Sequence, residues 1–116
     1  MHHVAIIIPK GEEELARQFY CNVLGAKEIA KPESHRTNGG IWVEVSGVQI
    51  HLSIDEGFDP RSTRAHIGYE VGDLAPLKEK LNRVGITVKD KGMLENYKTA
   101  EFRDPFGNRI ELLQAT

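Results

Sequence analysis

Three histidines and one glutamate recur at matching positions in the two halves of this 116-residue chain. His3 opens the run HVAIII in the first half, and His66 opens the run HIGYEV in the second. His51 and Glu111 each lie four residues after a glycine, in GVQIHL and GNRIEL. Neutral imidazole and ionised carboxylate are good ligands for divalent first-row metals. The pattern therefore predicts a metal site suited to Lewis-acid chemistry.

The glycines around these residues repeat with the same spacing. Gly25 and Gly47 are 22 positions apart, and so are Gly85 and Gly107. The distance from the opening histidine to the first glycine is 22 positions in the first half and 19 in the second, which is a three-residue difference in a loop. The chain therefore contains two copies of one module.

Hydrophobic periodicity predicts the same order of elements in each module: a strand, a helix and three strands. In the first half the helix carries Leu15, Phe19 and Val23 at a spacing of four, and Gly25 is expected to end it in a left-handed conformation. The predicted strands of this half are Val4–Ile8, Lys27–Lys31, Ile41–Val45 and Val48–Ile54. The segment Asp55–Arg64, with one glycine and one proline, is the predicted linker.

In the second half Asp73 is the predicted N-cap of a helix, and Gly85 is expected to end it. The apolar residues of this helix are Leu74, Leu77, Leu81 and Val84. The predicted strands are Ala65–Val71, Ile86–Lys89, Lys98–Arg103 and Asn108–Leu113, with a polar connection over Asp90–Tyr97 and a turn over Asp104–Gly107.

Period-two alternation predicts which way the four candidate ligands point. Ile50 and Leu52 alternate with His51, and Ile110 and Leu112 alternate with Glu111. We expect the apolar face of each sheet to pack under the helices. The ligand candidates then lie on the opposite face, where one cavity can receive all four.

Composition excludes several classes of partner. A net charge of -2 gives no electrostatic basis for binding nucleic acid or an anionic membrane. No apolar run approaches the roughly 20 residues that cross a bilayer, and a secretory signal is not apparent. A single cysteine, Cys21, fits a reducing compartment, so we expect a cytoplasmic protein. His2 and His35 are predicted to be surface histidines, whereas Trp42 can equally line the cavity or fill the core.

The chain resembles the vicinal oxygen chelate superfamily, which includes glyoxalase I, fosfomycin and bleomycin resistance proteins, methylmalonyl-CoA epimerase and extradiol dioxygenases. The matching stretches are HVAIIIP, ARQFYCNVLGAKE, VQIHLS, HIGYEVGD and FRDPFGNRIELLQ. The resemblance implies an α+β fold, the glyoxalase/bleomycin resistance/dioxygenase fold, in which two tandem βαβββ modules form curved mixed sheets around a metal-binding cavity. It implies a single domain over residues 1–116, with modules at about 1–56 and 64–116.

The resemblance also implies a function. His3, His51, His66 and Glu111 match the family's ligand positions, for one divalent metal per site: Zn, Ni, Fe, Mn or Co. Glu111 is then the catalytic carboxylate, and the reaction is of the lyase, isomerase or related transferase type, on a small oxygen-chelating metabolite. The metal would stabilise an oxyanion or enolate. A homodimer is expected, in which modules from different subunits complete each cavity.

Departures from the family pattern leave other reactions open. Glyoxalase I usually has glutamate or glutamine where this chain has His51, and fosfomycin thiol transferases use threonine where it has Ala5. Extradiol dioxygenases share the set of two histidines and one carboxylate, so a dioxygenase and a thiol transferase are both alternatives. The alternative outside enzymes is a metal-free drug- or metabolite-binding protein like the bleomycin resistance proteins. Arg109, Gln49 and Tyr97 are the expected substrate contacts.

Overall fold

The computed structural model describes all 116 residues, which form two compact units, Met1–Asp59 and Pro60–Thr116. The boundary between them lies inside the segment Asp55–Arg64. Each unit holds one four-stranded mixed sheet and one main helical segment, and neither sheet closes into a barrel. This is the α+β architecture that the sequence predicted. None of the helices is long and apolar enough to cross a membrane.

The first unit follows the order strand, helix and three strands. Its strands are β1 (His3–Ile8), β2 (Lys27–Ile29), β3 (Ile41–Val45) and β4 (Val48–Ile54). Helix α1 (Glu13–Arg17) continues directly into a π-helix (Gln18–Val23), and a 3-10 turn covers Glu33–His35. The sheet order is β1-β4-β3-β2, in which only the β1 and β4 pair is parallel. The opening strand therefore lies beside the last strand, and His3 and His51 come from neighbouring strands.

The second unit repeats this topology. Its elements are a 3-10 turn (Pro60–Ser62), β5 (His66–Val71), α2 (Leu74–Arg83), β6 (Lys89–Leu94), β7 (Tyr97–Arg103) and β8 (Arg109–Ala115). The sheet order is β5-β8-β7-β6, with β5 and β8 parallel. The carboxylate of Asp73 accepts a hydrogen bond from the backbone N–H of Ala75, so the predicted N-cap is confirmed.

Alternation divides each sheet into a buried and a more open face, as expected. In β4 Ile50 and Leu52 are buried, and in β8 Ile110 and Leu112 are fully buried. The helical segments contribute buried side chains of their own, including Phe19 and Tyr20 in the first unit. Burying these apolar surfaces stabilises each unit. It also leaves the polar residues of the same strands on the other face.

The first helix differs from its prediction. Only Glu13–Arg17 is α-helical, and the backbone N–H of Leu24 donates to the carbonyl of Phe19, as in a π-helix. A wider turn changes the rotation between the residues before it and those after it, and Leu15 is exposed while Ala16 is buried. The expected stripe with a spacing of four is therefore wrong at its first position.

The second strand of the second unit also lies elsewhere than predicted. Residues Ile86–Thr87–Val88 precede β6, which covers most of the expected polar connection, and Tyr97 begins β7 instead of lying in a loop. All six residues of β6 are exposed, and the register with β7 shifts between Asp90 and Gly92. An exposed edge strand needs no apolar alternation, and a bulge breaks the period, so the sequence pattern carried no signal.

Candidate functional site

Three rings stack across three neighbouring strands on the open face of the first sheet. The indole of Trp42 (β3) lies against the imidazole of His51 (β4), with ring centroids 3.6 Å apart and planes inclined by 3°. The other face of His51 meets His3 (β1) at 4.1 Å and 13°. Trp42 and His51 are directly paired residues, which brings their side chains together. The buried His51 ring therefore has an aromatic ring on each face.

This ring stack forms part of a cavity of about 560 Å³ in the first unit. The volume is in the range of small-molecule sites. Besides the ring stack, its lining contains the following residues: His2, Lys31, His35, Asn38, Gly39, Ser53 and Ile54. None of the lining side chains is acidic, and several carry N–H donors. The cavity therefore suits a ligand with oxygen atoms or negative charge.

Contacts around His51 set its protonation. Its Nε2 lies 2.9 Å from the amide oxygen Oε1 of Gln49, which accepts a hydrogen bond. Burial lowers the pKa of the His51 imidazole below its ordinary value, and the charge that neighbouring histidines can carry lowers this pKa further. A neutral imidazole that donates through Nε2 keeps its lone pair on Nδ1. Gln49, a predicted substrate contact, forms a hydrogen bond with this histidine in the structure.

The open face of the second sheet brings His66 and Glu111 onto adjacent strands. His66 is paired with Arg109, and Gly68 with Glu111, so all four positions share one face of the sheet. Nδ1 of His66 lies 3.1 Å from the carbonyl oxygen of Arg64. A carbonyl oxygen only accepts, so Nδ1 carries the proton in the neutral ring and Nε2 offers a lone pair. This arrangement is typical of metal-binding histidines.

Two carboxylates lie opposite each other on this face, since Glu111 is paired with Glu101 across β8 and β7. Arg109 binds Glu101 with two nitrogens at 2.7 Å, and Lys91 lies 3.5 Å from it. Burial opposes ionisation of Glu101, but the hydrogen bonds and charges of these two cations bring its pKa below the ordinary value. Glu111 has no such ion pair. Its carboxylate is therefore available to bind a metal or to exchange a proton.

The turn before β8 places Glu111. The carboxylate of Asp104 accepts hydrogen bonds from the backbone N–H groups of Phe106 and Asn108 and from the side-chain amide of Asn108. Asp104 and Asn108 are both buried. Gly107 has φ +100°, and a Cβ there would meet the side chain of Arg61. The motif DPFGN thus forms a locked turn that fixes where the last strand begins.

The remaining predicted contacts lie on the second sheet. Arg109 is engaged in the ion pair described above, and the hydroxyl of Tyr97 donates to Glu70 at 3.2 Å. Another cavity, of about 650 Å³, lies between α2 and strands β6 and β7. It contains none of the predicted site residues, so the cavity beside the ring stack is the better candidate.

Sequence reasoning missed several residues of the first-unit cavity. His2 and His35 are exposed, as predicted for surface histidines, but both also line this cavity. Nδ1 of His2 lies 2.9 Å from Nδ1 of His3, and the ring of His35 lies 5.7 Å from Trp42. His2 directly precedes β1, which could have indicated its place. His35 lies in a loop, and no local pattern marked it.

A metal that the family implies fits the two units differently. An imidazole binds a metal near the plane of its ring, along a nitrogen lone pair. The nearly parallel rings of His3 and His51 share no such position, so in the observed arrangement only one of them can bind a given ion. His66 and Glu111 have no comparable conflict. Neither unit by itself gathers three histidine, cysteine or acidic side chains around one point.

The sequence was also compared with known protein families. The model of the Glyoxalase/Bleomycin resistance protein/Dioxygenase superfamily matches residues 1–112. The chain belongs to this superfamily. No curated protein matches the chain.

Several solved structures are similar to the chain over its full length. A putative glyoxalase family protein from Bacillus anthracis has 35% identity and a TM-score of 0.91, with 100% of this chain and 94% of that one covered. TnmS3, an antibiotic binding protein from Streptomyces sp. CB03234, has 25% identity and a TM-score of 0.70, with 100% and 97% covered. The fosfomycin resistance protein FosX from Listeria monocytogenes shares the fold at 18% identity and a TM-score of 0.73, with 100% and 90% covered.

Proposed function

We propose that the protein is a divalent-metal-dependent enzyme acting on a small oxygen-chelating molecule. The observation that carries this proposal is the arrangement of His66, whose Nδ1 is held by a backbone carbonyl while Nε2 remains available, on the same face as Glu111. Superfamily membership supports it, because this superfamily includes glyoxalases and dioxygenases. The proposal does not depend on which copy of the chain supplies each ligand.

The proposed ligands are His66 through Nε2, the carboxylate of Glu111 and one histidine of the first unit. Burial lowers the pKa of the His51 imidazole and so favours the neutral form, which binds metal, and His3 is the more exposed of the two. A bound divalent cation would polarise a substrate oxygen and stabilise negative charge on it. Its identity among Zn, Ni, Fe, Mn and Co is a matter for measurement.

Glu111 is the proposed proton carrier. Its cross-strand neighbour Glu101 is paired with the positive charges of Arg109 and Lys91, and these ion pairs favour its ionised form. Glu111 is therefore the carboxylate on this face that can exchange a proton with substrate or a bound water. Gln49, Arg109 and Tyr97 then act through the groups that they hold, respectively His51, Glu101 and Glu70.

Titration of chelator-treated protein with Zn²⁺, Ni²⁺ and Mn²⁺ by calorimetry tests metal binding. We expect one ion per chain and a loss of affinity of at least 100-fold in His66→Ala. Glu111→Gln should lose both affinity and turnover, whereas Glu79→Gln, on the exposed face of α2, should change neither. Wild-type protein that binds none of these ions would contradict the proposal. Activity assays then separate the possible reactions: methylglyoxal with thiols tests the isomerase, fosfomycin the transferase, and catechols the dioxygenase.

A second candidate function is metal-free binding of a small molecule, and the ring stack favours it. The rings of Trp42, His51 and His3 stack on one another. The cavity beside them is lined by basic and polar side chains, which can hold an oxygen-rich or anionic ligand without a metal. The antibiotic-binding relative TnmS3 supports this class. A ligand affinity that is unchanged by chelator and by Glu111→Ala would favour this function over the metalloenzyme.

We also propose that the protein is a cytoplasmic homodimer. Superfamily membership supports dimerisation. A module of one chain can then complete a site together with a module of a second copy of the chain. Light scattering should give twice the 13.0 kDa mass of one chain. A monomeric mass at micromolar concentration would contradict this part of the proposal.

A further inference from the structure

We infer that Arg109 is a positioning residue for His66, and not a substrate contact. Its guanidinium connects a carboxylate on one strand to a backbone carbonyl beside another. Nε and Nη2 each lie 2.7 Å from Oε2 of Glu101, and Nη1 donates to the carbonyl oxygen of Arg64 at 3.2 Å. All three bonds use different nitrogens of one planar group.

The carbonyl oxygen of Arg64 is shared. It accepts a hydrogen bond from Arg109 at 3.2 Å and another from Nδ1 of His66 at 3.1 Å. A carbonyl oxygen has two lone pairs, so both bonds can form together. Arg109 and His66 are also paired residues of β8 and β5. The imidazole is therefore tied to the guanidinium through one atom.

This tie determines which nitrogen of His66 is available. The carbonyl oxygen can only accept a hydrogen bond, so Nδ1 carries the proton of the neutral ring and the lone pair lies at Nε2. Arg109 holds the peptide that carries this carbonyl and thereby holds the acceptor in place. Without Arg109, the segment before β5 loses its link to β8, and the preference of His66 for one tautomer weakens.

The surroundings of Arg109 are those of an anchored group. Its side chain is 18% exposed and that of Glu101 is 17% exposed, and Lys91 contacts Glu101 from another side. Lysine cannot replace arginine here, because one ammonium group cannot reach a carboxylate and a carbonyl with the geometry of a planar fork. An ion pair that served stability alone would not require the third bond to the carbonyl.

The role of this tie in metal binding rests on the proposed function, but the tautomer does not. Nitrogen-15 NMR of the metal-free protein at about pH 8, where an ordinary imidazole is neutral, reads the tautomer directly. We expect wild-type His66 to carry its proton on Nδ1 and Arg109→Met to give mixed tautomers. Zn²⁺ affinity should fall about 10- to 100-fold in the variant, as is typical when a residue behind a ligand is removed.

Three further variants keep the test decisive. Glu101→Gln retains an oxygen that accepts a hydrogen bond from Arg109, so its fraction of the Nδ1–H tautomer of His66 should lie between those of wild type and Arg109→Met. The fraction in Arg109→Lys should resemble that in Arg109→Met. Arg83→Met removes an exposed arginine from an ion pair with Glu79 in the same unit and should leave His66 unchanged. An Nδ1–H tautomer that survives both Arg109→Met and Arg109→Lys would overturn the inference. If wild type binds no Zn²⁺, the proposed function fails while the tautomer measurement still tests Arg109.

Discussion

Trp42 and His51 stack face to face across neighbouring strands, with ring centroids 3.6 Å apart and planes inclined by 3°. His3 continues the stack on the other side of His51. The stack buries an imidazole on the face of the sheet that otherwise carries polar side chains. It also decides what the first unit can contribute to a metal site, because two stacked rings cannot direct lone pairs at the same ion.

Replacing Trp42 tests how much the stack stabilises the first unit. Trp42→Ala should lower the free energy of unfolding by about 2–3 kcal/mol, which is less than the cost of deleting a fully buried aromatic ring, because Trp42 is only partly buried. Trp42→Phe keeps a ring over His51 and should cost about 1 kcal/mol. Urea unfolding followed by circular dichroism measures both. Phe58→Ala, at a 40% exposed ring, is the matched control, and an equal cost for Trp42→Ala would show that the stack adds nothing.

Ligand binding near the stack should be visible in fluorescence. Trp42 is the only tryptophan of the chain and lines the first-unit cavity. A ligand that enters this cavity displaces water from the indole and should shift or quench its emission. A ligand that binds by calorimetry yet leaves the emission of Trp42 unchanged would place binding elsewhere.

The stacked geometry separates the roles of His3 and His51. If the protein binds one divalent ion, only one of the variants His3→Ala and His51→Ala should lower the affinity for that ion by more than about 100-fold. The other variant should change this affinity by less than about 10-fold, because its histidine lies behind a ligand and does not bind the ion. Calorimetry with Zn²⁺ measures this. Equal losses of more than 100-fold in both variants would mean that the rings unstack when metal binds.

Much of the fold could be predicted from the sequence, because alternation and glycine spacing act locally. The hairpin Ile41–Val45 and Val48–Ile54 has the predicted bounds, and Gly25 and Gly85 have positive φ at the helix ends. The π-helical turn depends on how the helix packs, and β6 is an exposed strand with a bulge. Neither leaves a periodic signal in the sequence.

The candidate site was predictable only in part. Alternation predicted the faces on which His66 and Glu111 lie, and the structure has them on one face of adjacent strands. Ring stacking depends on side-chain rotamers across three strands, and the sequence does not specify these. The same holds for the shared carbonyl of Arg64, because a backbone acceptor has no signature in the side-chain pattern.

Acid should weaken the first unit through Glu28. The hydrogen bond from Arg17 holds the pKa of Glu28 below its ordinary value, with Nε of Arg17 at 2.6 Å from Oε1. A carboxyl whose pKa is lower in the folded state stabilises above its unfolded pKa, and this contribution is lost as the pH falls through the folded pKa. Both side chains are more than a third exposed, so the pair contributes about 0.5 kcal/mol at neutral pH.

Thermal unfolding at several pH values tests this sign. The stability difference between wild type and Glu28→Gln should be largest at neutral pH and should shrink below about pH 4.3, the ordinary value for glutamate. Glu33→Gln, in the more exposed pair with Arg36, should show a smaller difference at every pH. A difference between wild type and Glu28→Gln that grows in acid would contradict the assignment.

Gly40 follows Gly39, which lines the first-unit cavity, and should tolerate no side chain. Its φ is +79°, its N–H donates to Glu13, and a Cβ there would lie 2.1 Å from the carbonyl oxygen of Leu52, a backbone atom of β4 that cannot move alone. Gly25 offers a matched control, because its φ is +78° but a Cβ there would meet nothing within 4 Å. Gly25→Ala therefore isolates the cost of the left-handed backbone, about 1–2 kcal/mol. Gly40→Ala adds the clash and should cost at least about 3 kcal/mol, with overpacking as the cause. Equal losses of unfolding free energy in the two variants would mean that β3 and β4 separate without cost at this point. A larger loss for Gly40→Ala, together with weakened ligand binding, would show that this close backbone contact determines the shape of the cavity.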